Sequence, residues 1–413
     1  MRKLERSDVD SLRRLASYFI RKSEFNLAAR IYGNINDIKA MAQMHVAAGH
    51  WTDAFAIADR YPKFVEDVYL PYARHLAERD QFLEAQKAYH KAGRDQEALR
   101  VLEQLTGNAV DENRFADAGY YHWLLSMQYL ERSKDNPSLI PKYHASAKLA
   151  DVYYAYDAIF LYCNQPLTRH SPETLLTMAR YLSAQEPVLN ISQVLINYTM
   201  ARIGRELGAY KLARDTLDRL GNLRVPPRLQ RDVELMTVNI RAKPFSDAED
   251  LLPVCHRCGL NNPLTCGMNC VHCKTAFEHS FATFEILPLI EFIVDDDIPT
   301  EEAVSLVESE PPLSDSNFNP FQNISKKSTE VCLNRDDLTR LEKGQVIILH
   351  LPAPLKTRFL FNQMPSISVS KCPSCNKVFH SDDFEMAVLQ EGHCPYCRSV
   401  QEKVDNPYAL DES

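Results

Sequence analysis

Residues 255–273 read CHRCGLNNPLTCGMNCVHC, and residues 372–397 read CPSCNKVFHSDDFEMAVLQEGHCPYC. These two stretches hold nine of the eleven cysteines, and eight of the nine are arranged as four CxxC pairs. Two cysteines separated by two residues can direct both sulfurs at one ion from a tight turn, and a hairpin can bring in a second pair. The pattern predicts two zinc-ribbon-like modules, each holding one Zn²⁺ ion. The predicted ligands are Cys255, Cys258, Cys270 and Cys273 in the first module and Cys372, Cys375, Cys394 and Cys397 in the second.

Disulfides, free thiols and redox chemistry are the alternatives to zinc. The N-terminus carries Arg2 and Lys3 and has no apolar core of a secretory signal. No apolar run approaches the roughly 18 residues of a membrane span. In the reducing compartment that this implies, paired cysteines favour metal binding, and a redox CxxC would need a βαβ context that the sequence lacks. Because four thiolates close the coordination sphere, both ions are predicted to be structural.

Other cysteines and histidines lie close to the pairs or elsewhere in the chain. The histidines near the pairs and Cys266 could each replace a cysteine as a ligand, but because each pair is already complete we expect them to lie at the surface or beside the ligands. We expect Gly259 to need a positive φ. We expect Cys163 and Cys332 to be packed thiols. The histidines are His256, His272, His380 and His393.

The chain ahead of the cysteines reads as helical repeats. Glycine is scarce, at 12 of 413 residues. An aromatic residue followed three positions later by alanine recurs, and its first four occurrences are spaced by 26, 31 and 33 residues, near the 34-residue tetratricopeptide period. The five pairs are Phe25/Ala28, Trp51/Ala54, Phe82/Ala85, Phe115/Ala118 and Tyr210/Ala213. The predicted fold is therefore all-α, a tetratricopeptide-like α-solenoid followed by two small four-cysteine zinc modules, with a concave face that binds proteins.

Amino-acid composition and the positions of proline residues predict four regions. They are helical repeats over 1–245, a first zinc module with packed helices over 246–309, a flexible linker over 310–335 and a second zinc module over 336–413. Within the first module, residues 281–309 are predicted to form one or two helices packed on the metal site, with Thr300 as an N-cap and the acidic residues 295–297 as a solvated helix start. Extended segments are predicted at QVIILHLPAP (345–354) and RFLFNQ (358–363).

No catalytic constellation is apparent. The chain has no GxxxxGK[ST], GxSxG or HExxH motif and no dinucleotide-binding glycine fingerprint, so we do not expect an enzyme. A net charge of −8 and a pI near 5.9 disfavour a nucleic-acid-binding surface. A RING-type ubiquitin ligase stays open as an alternative, but its cross-braced zincs would have to span the 98 residues between Cys273 and Cys372.

Four stretches carry a family resemblance, residues 71–110, 242–277, 286–308 and 372–398. The last three are similar to the C-terminal third of the intraflagellar transport protein 122 family, subunits of intraflagellar transport complex A, and residues 71–110 resemble the tetratricopeptide region of the same family. The resemblance implies that the four CxxC pairs hold the family's zinc ions and that nothing catalytic carries over. It implies a non-catalytic scaffold that assembles with the other complex A subunits. Its expected roles are retrograde intraciliary transport, cilium assembly and, with cargo or adaptors bound indirectly, ciliary import of membrane proteins.

The resemblance also implies a place at the cilium, the ciliary base and the cytoplasm, associated with the cytoskeleton. Family members carry N-terminal WD40 propellers, which this sequence lacks, so the chain is expected to be a fragment, an incomplete gene model or one piece of a split protein. A coat or tethering subunit of endosomal trafficking shares the same plan of solenoid and zinc sites and stays open as a further alternative.

Overall fold

The structure is a computed structural model that describes residues 9–79, 81–165, 170–309 and 331–400. The chain divides into two compact units, residues 1–112 and 113–413. Among the residues described, none of the helices combines the length and apolarity that crossing a bilayer requires.

The described part of the first unit is helical, and each helix packs on the next. The helices are α1 (Val9–Arg21), α2 (Phe25–Asn34), α3 (Ile38–Ala48), α4 (Trp51–Arg60), α5 (Val65–Ala77), α6 (Phe82–Lys91) and α7 (Asp95–Asp111). The aromatic of each repeated pair is the first residue of α2, α4 or α6, and the alanine three positions later is completely buried in all three. Alanine at these positions lets the neighbouring helix approach closely. The tetratricopeptide pattern thus marks the start of every second helix.

The second unit begins with a further set of packed helices. They are α8 (Phe115–Ser133), α9 (Ile140–Asn164), α10 (Pro172–Ser183), α11 (Gln193–Leu207), α12 (Tyr210–Gly221) and α13 (Pro227–Asn239). The remaining aromatic pairs start α8 and α12, again with buried alanines. Helices α8 and α9 pack closely at Gly119, where an added Cβ would come within 2.7 Å of the Tyr154 ring.

Strands interrupt the helical fold after the first cysteine cluster, so the all-α prediction holds only for the helical repeats. The strands are β1 (Leu289–Val294), β2 (Cys332–Leu333), β3 (Val346–Leu349), β4 (Arg358–Asn362), β5 (Val369–Lys371) and β6 (Val378–His380). The first four form one sheet in the order β2-β1-β4-β3, in which only the β1–β2 pairing is parallel, and β5 pairs with β6. Three helices accompany them, α14 (Thr300–Glu308), α15 (Arg335–Thr339) and α16 (Ser381–Glu391).

Strand β1 falls where helices were predicted, so that prediction is wrong for residues 289–294. Ile290 and Phe292 face a core shared with α14 and α15, whereas Leu289 points to the opposite face, towards Leu360 and Val378. This alternation is the period of a strand. Only α14 is helical, it packs on the sheet rather than on the metal site, and its N-cap is Pro299 rather than Thr300.

Two further predictions for this region are confirmed. Both segments predicted to be extended contain strands, β3 and β4, and the acidic residues 295–297 are exposed ahead of α14. Of the predicted linker, residues 310–330 lie outside the described residues, while 331–335 include β2 and the first residue of α15. The predicted domain bounds stay a prediction.

Candidate metal centres

The first four cysteines converge on one point. Their sulfurs all lie within 4.8 Å of one another, with Cys255 Sγ 3.5 Å from Cys273 Sγ and Cys258 Sγ 3.8 Å from Cys270 Sγ. A tetrahedral ion with Zn–S bonds of about 2.3 Å holds its sulfurs about 3.8 Å apart, whereas a disulfide would need about 2.05 Å. Three of the four residues are buried. The cluster fits one structural zinc ion.

The second cluster repeats this geometry. Cys372 Sγ lies 3.7 Å from Cys397 Sγ, and Cys375 Sγ lies 4.0 Å from Cys394 Sγ. Three of these residues are buried as well, and all eight thiols are free of disulfides. Each cluster joins consecutive pairs, not the alternate pairs of a cross-braced RING. The second cluster therefore fits one structural zinc ion of the same kind.

All four CxxC pairs adopt the same turn. The first cysteine donates its N–H to the carbonyl five residues on, at 2.9–3.0 Å, and accepts at its own carbonyl from the N–H four residues on, at 2.8–3.0 Å. The residue after the second cysteine has a positive φ, as expected for Gly259. The four values are 70° at Gly259, 62° at Lys274, 57° at Asn376 and 54° at Arg398. Three of the four turns thus hold a left-handed residue without using glycine.

A fifth turn of this shape contains no cysteine. Ser280 donates its N–H to the Glu285 carbonyl and accepts from the Phe284 N–H, both at 2.8 Å, and φ of Phe284 is 55°. The flanking residues form the antiparallel bridge His279↔Ile286, as the residues around Cys255, Cys270 and Cys394 do. Ser280 and Thr283 stand where the two cysteines would be. This turn was not predicted from the sequence, because the signal that identifies the other four turns is a cysteine pair, and residues 280–283 contain none.

The fifth turn connects both modules to the helices. Phe281 lies in it, buried against Tyr154 of α9 at 5.2 Å and Tyr396 of the second module at 4.6 Å between ring centroids. Its N–H donates to the Val378 carbonyl on β6 at 3.0 Å. Phe281 is therefore a packing centre shared by the first module, the second module and α9.

The second module docks on α8 and α9 through residues of its own turns. Lys377 Nζ lies 2.7 Å from both carboxylate oxygens of Asp151, and Arg398 Nη2 lies 2.8 Å from Asp117 Oδ1. The Tyr154 hydroxyl donates to the Tyr396 carbonyl at 2.6 Å. Lys377, Tyr154 and Tyr396 also lie against the Phe281 ring, so these polar contacts adjoin the packing centre.

Burial and charge set the protonation of these contacts. Burial raises the pKa of both Tyr154 and Tyr396, so their phenols stay neutral. Burial also acts to raise the pKa of Asp117, but hydrogen bonds from Arg398 and Arg114 outweigh it and lower that pKa. The interface therefore joins charged pairs at its edge to neutral aromatic groups at its centre.

The first module docks on α10. Arg180 Nε donates to the Leu264 carbonyl at 2.8 Å, and the Thr177 hydroxyl donates to the Thr283 carbonyl at 2.6 Å. The Tyr181 and Phe284 rings lie 4.7 Å apart. On the far side, Arg358 of β4 reaches Glu278 at 2.6 Å and so ties the module to the sheet. The first module is held between α10 and the sheet.

The other cysteines and histidines singled out from the sequence are not members of the four-sulfur groups, although Cys266 packs against the first group. His272 is exposed, with Nε2 3.3 Å from the Asn261 carbonyl, and His380 Nε2 lies 3.4 Å from Glu285. Cys163 is half-buried, 3.4 Å from the Thr199 hydroxyl. Cys332 is exposed and donates to Asp295 at 2.8 Å, so its prediction as a packed thiol is wrong. In the described part of the chain, His256, His393 and Cys266 also lie outside both four-sulfur groups.

Comparison with known proteins yields three family models. "IFT122, TPR domain" matches residues 1–195, "IFT122, zinc ribbon domain" matches 248–290 and "IFT122, C-terminal zinc ribbon domain" matches 367–404. The two ribbon matches contain the two sulfur clusters, and the first match covers the helices on which the second cluster docks. The helical and metal-binding parts are thus similar to parts of one and the same protein.

Whole-chain relatives point to the same protein. The intraflagellar transport protein 122 homologs of Xenopus tropicalis and Danio rerio are 40% and 38% identical over 96% of this chain, and that of Homo sapiens is 39% identical over 97%. The chain spans 36–37% of the length of these relatives. The chain therefore belongs to the intraflagellar transport protein 122 family.

Proposed function

We propose that the eight clustered cysteines are the ligands of two structural zinc ions and that the chain is a non-catalytic scaffold subunit of intraflagellar transport complex A. Its proposed work is retrograde intraciliary transport, cilium assembly and import of ciliary membrane proteins, at the cilium, the ciliary base and the cytoskeleton-associated cytoplasm. The observation that carries the proposal is the joint match to the helical repeats and both zinc ribbons of one intraflagellar transport protein.

The way the modules dock supports a scaffold role. A closed four-cysteine site leaves no position for a substrate, so zinc contributes folding free energy to segments too small to fold on their own cores. Here the folded module holds Lys377 against α9 and Arg398 against α8. Helices α8 and α9 and the ribbon together present one fixed surface, which suits assembly with other subunits.

The ligand assignment is tested by native mass spectrometry of the full chain. We expect two zinc ions per chain, and one ion in each of the variants Cys258→Ser and Cys397→Ser, with helical circular dichroism retained. Cys163→Ser is the matched control and keeps both ions, because its thiol lies outside the clusters. Two zinc ions in both ligand variants would contradict the ligand assignment.

The scaffold role is tested by recovering a tagged chain from ciliated cells. We expect the other complex A subunits to co-purify with the wild-type chain and with Cys163→Ser, and less with Cys397→Ser. A zinc-loaded, folded chain that recovers none of them contradicts the proposal. Recovery of the same partners from cells without cilia would instead favour an endosomal coat or tether. Ubiquitin transfer by the purified chain would favour a ligase, although the sequential zinc clusters argue against a RING.

A further inference from the structure

Three potential metal ligands meet at the turn between α3 and α4 in the first unit. His45 lies in the last turn of α3, His50 directly precedes α4, and Asp53 lies in the first turn of α4. Their ligand atoms all lie within 4.8 Å of one another. His45 Nδ1 is 3.7 Å from Asp53 Oδ2. Ligands bound at about 2.0–2.1 Å to a tetrahedral ion lie about 3.4 Å apart, so the three side chains need only small rotations to share one ion.

The backbone of the turn brings these residues together. Gly49 ends α3 with φ of 72°, and the His50 N–H donates to the His45 carbonyl at 2.9 Å. This is the hydrogen-bond pattern of a glycine-closed helix end. Only Gly49 and His50 separate α3 from α4, so the first turn of α4 lies close to the last turn of α3. His50 and Asp53 reach the same side as His45 as a direct result.

His45 carries an unused polar atom aimed into this group. The residue is 6% exposed, and its Nδ1 is fully shielded and has no hydrogen-bond partner within the described part of the chain. Buried polar atoms are nearly always paired, so a shielded imidazole nitrogen facing another imidazole and a carboxylate calls for a ligand. The His50 ring makes no capping bond to α4 and packs edge-on against Phe25, with centroids 4.7 Å apart.

A simple ion pair between His45 and Asp53 accounts for the arrangement less well. The separation of 3.7 Å is beyond hydrogen-bond distance. Burial lowers the pKa of His45 and outweighs the opposing effect of Asp53, and the nearby His50 lowers that pKa further. The imidazole is therefore neutral at neutral pH, which is the form that binds metals.

We propose that His45, His50 and Asp53 form a third metal site, which binds a divalent transition-metal ion such as Zn²⁺. Two imidazoles and a carboxylate are common ligands of zinc, and three protein ligands leave the fourth position open to water or to a side chain of another protein. The site thus differs in chemistry from the two closed four-cysteine sites. It does not depend on the transport role proposed above.

The test is zinc titration of the full chain after both four-cysteine sites have been loaded. Isothermal titration calorimetry at pH 7.5 is expected to show one further equivalent. Asp53→Asn and His50→Asn are expected to weaken it about 10-fold or more, since each removes a ligand. Asp53 is largely exposed, so its substitution should leave the fold intact. His90→Asn is the matched control. His90 lies in the last turn of α6, before another glycine-closed turn, and its Nδ1 lies 2.8 Å from Asp95 Oδ1.

Cobalt identifies the donor atoms. The third Co²⁺ equivalent is expected to add visible d–d absorption without further thiolate-to-metal charge-transfer intensity, because its ligands contain no sulfur. The proposal is overturned if no third equivalent binds up to the solubility limit of zinc. It is also overturned if the third equivalent brings charge-transfer intensity, or if it binds equally well to wild type and to both ligand variants.

Discussion

Removing the Phe281 ring should loosen three parts of the second unit at once. The side chain is 8% exposed and lies within 6 Å, centroid to centroid, of the rings of Tyr154, Phe379 and Tyr396. Replacing a buried phenylalanine by alanine costs about 3–5 kcal/mol, from lost transfer free energy and the cavity left behind. Because the ring touches α9 and the second module as well as its own turn, Phe281→Ala should weaken their docking by this amount.

Hydrogen exchange followed by mass spectrometry measures this effect locally. A loss of about 3 kcal/mol corresponds to exchange about 150-fold faster for amides that exchange through undocking. The increase is expected in peptides from α9, from β6 and from the turn around Tyr396. Phe245→Ala is the matched control, because Phe245 is 81% exposed and packs only on Arg214 among the contacts described for it. Faster exchange confined to residues 280–285 would refute the shared packing centre.

Three further changes test the same unit. Gly119→Ala should cost about 1–3 kcal/mol in denaturant unfolding because its Cβ would lie 2.7 Å from the Tyr154 ring, whereas Gly107→Ala, with open space around it, should be neutral or stabilising. Burial lowers the pKa of His122 to about 4 from 6.5, so the unfolded chain binds its proton first. The free energy of unfolding should therefore fall by about 3 kcal/mol as pH drops from 6.5 to 4, and less in His122→Gln. Arg398→Gln should weaken docking of the second module by about 1 kcal/mol, with a smaller effect at high salt.

The sequence predicted those features that depend on local pattern. The aromatic–alanine pairs located the first residue of five helices, because an aromatic at a helix start and a small residue one turn later are both set by the crossing with the neighbouring helix. The CxxC pairs predicted which sulfurs meet, because a hairpin joins consecutive turns. A glycine directly after the first CxxC pair predicted a positive φ, and Gly259 has one. These are short-range signals, and each can be read within a few residues.

Features that depend on distant partners were missed. The apolar run at 287–294 suits a buried helix as well as a strand, and its partner β4 follows some 70 residues later. The turn at 280–285 keeps the zinc-ribbon backbone without a metal because Phe281 and the β6 carbonyl hold it in place. The spacing of His45, His50 and Asp53 along the sequence matches no common metal-binding motif. The folded turn between α3 and α4 is what brings the three side chains together.

In the second module, metal binding and docking share the same few residues. Tyr396 lies between the proposed ligands Cys394 and Cys397, and Arg398 directly follows them. The turn that directs the two sulfurs inward is therefore the turn that directs Tyr396 and Arg398 outward onto α8 and α9. When zinc leaves, the turn loses its constraint and the docking side chains lose their fixed position. By reciprocity, every kcal/mol that docking contributes to the folded ribbon also raises its affinity for zinc. The helices on which the module docks are thus part of the reason that a ribbon of this size can hold its metal.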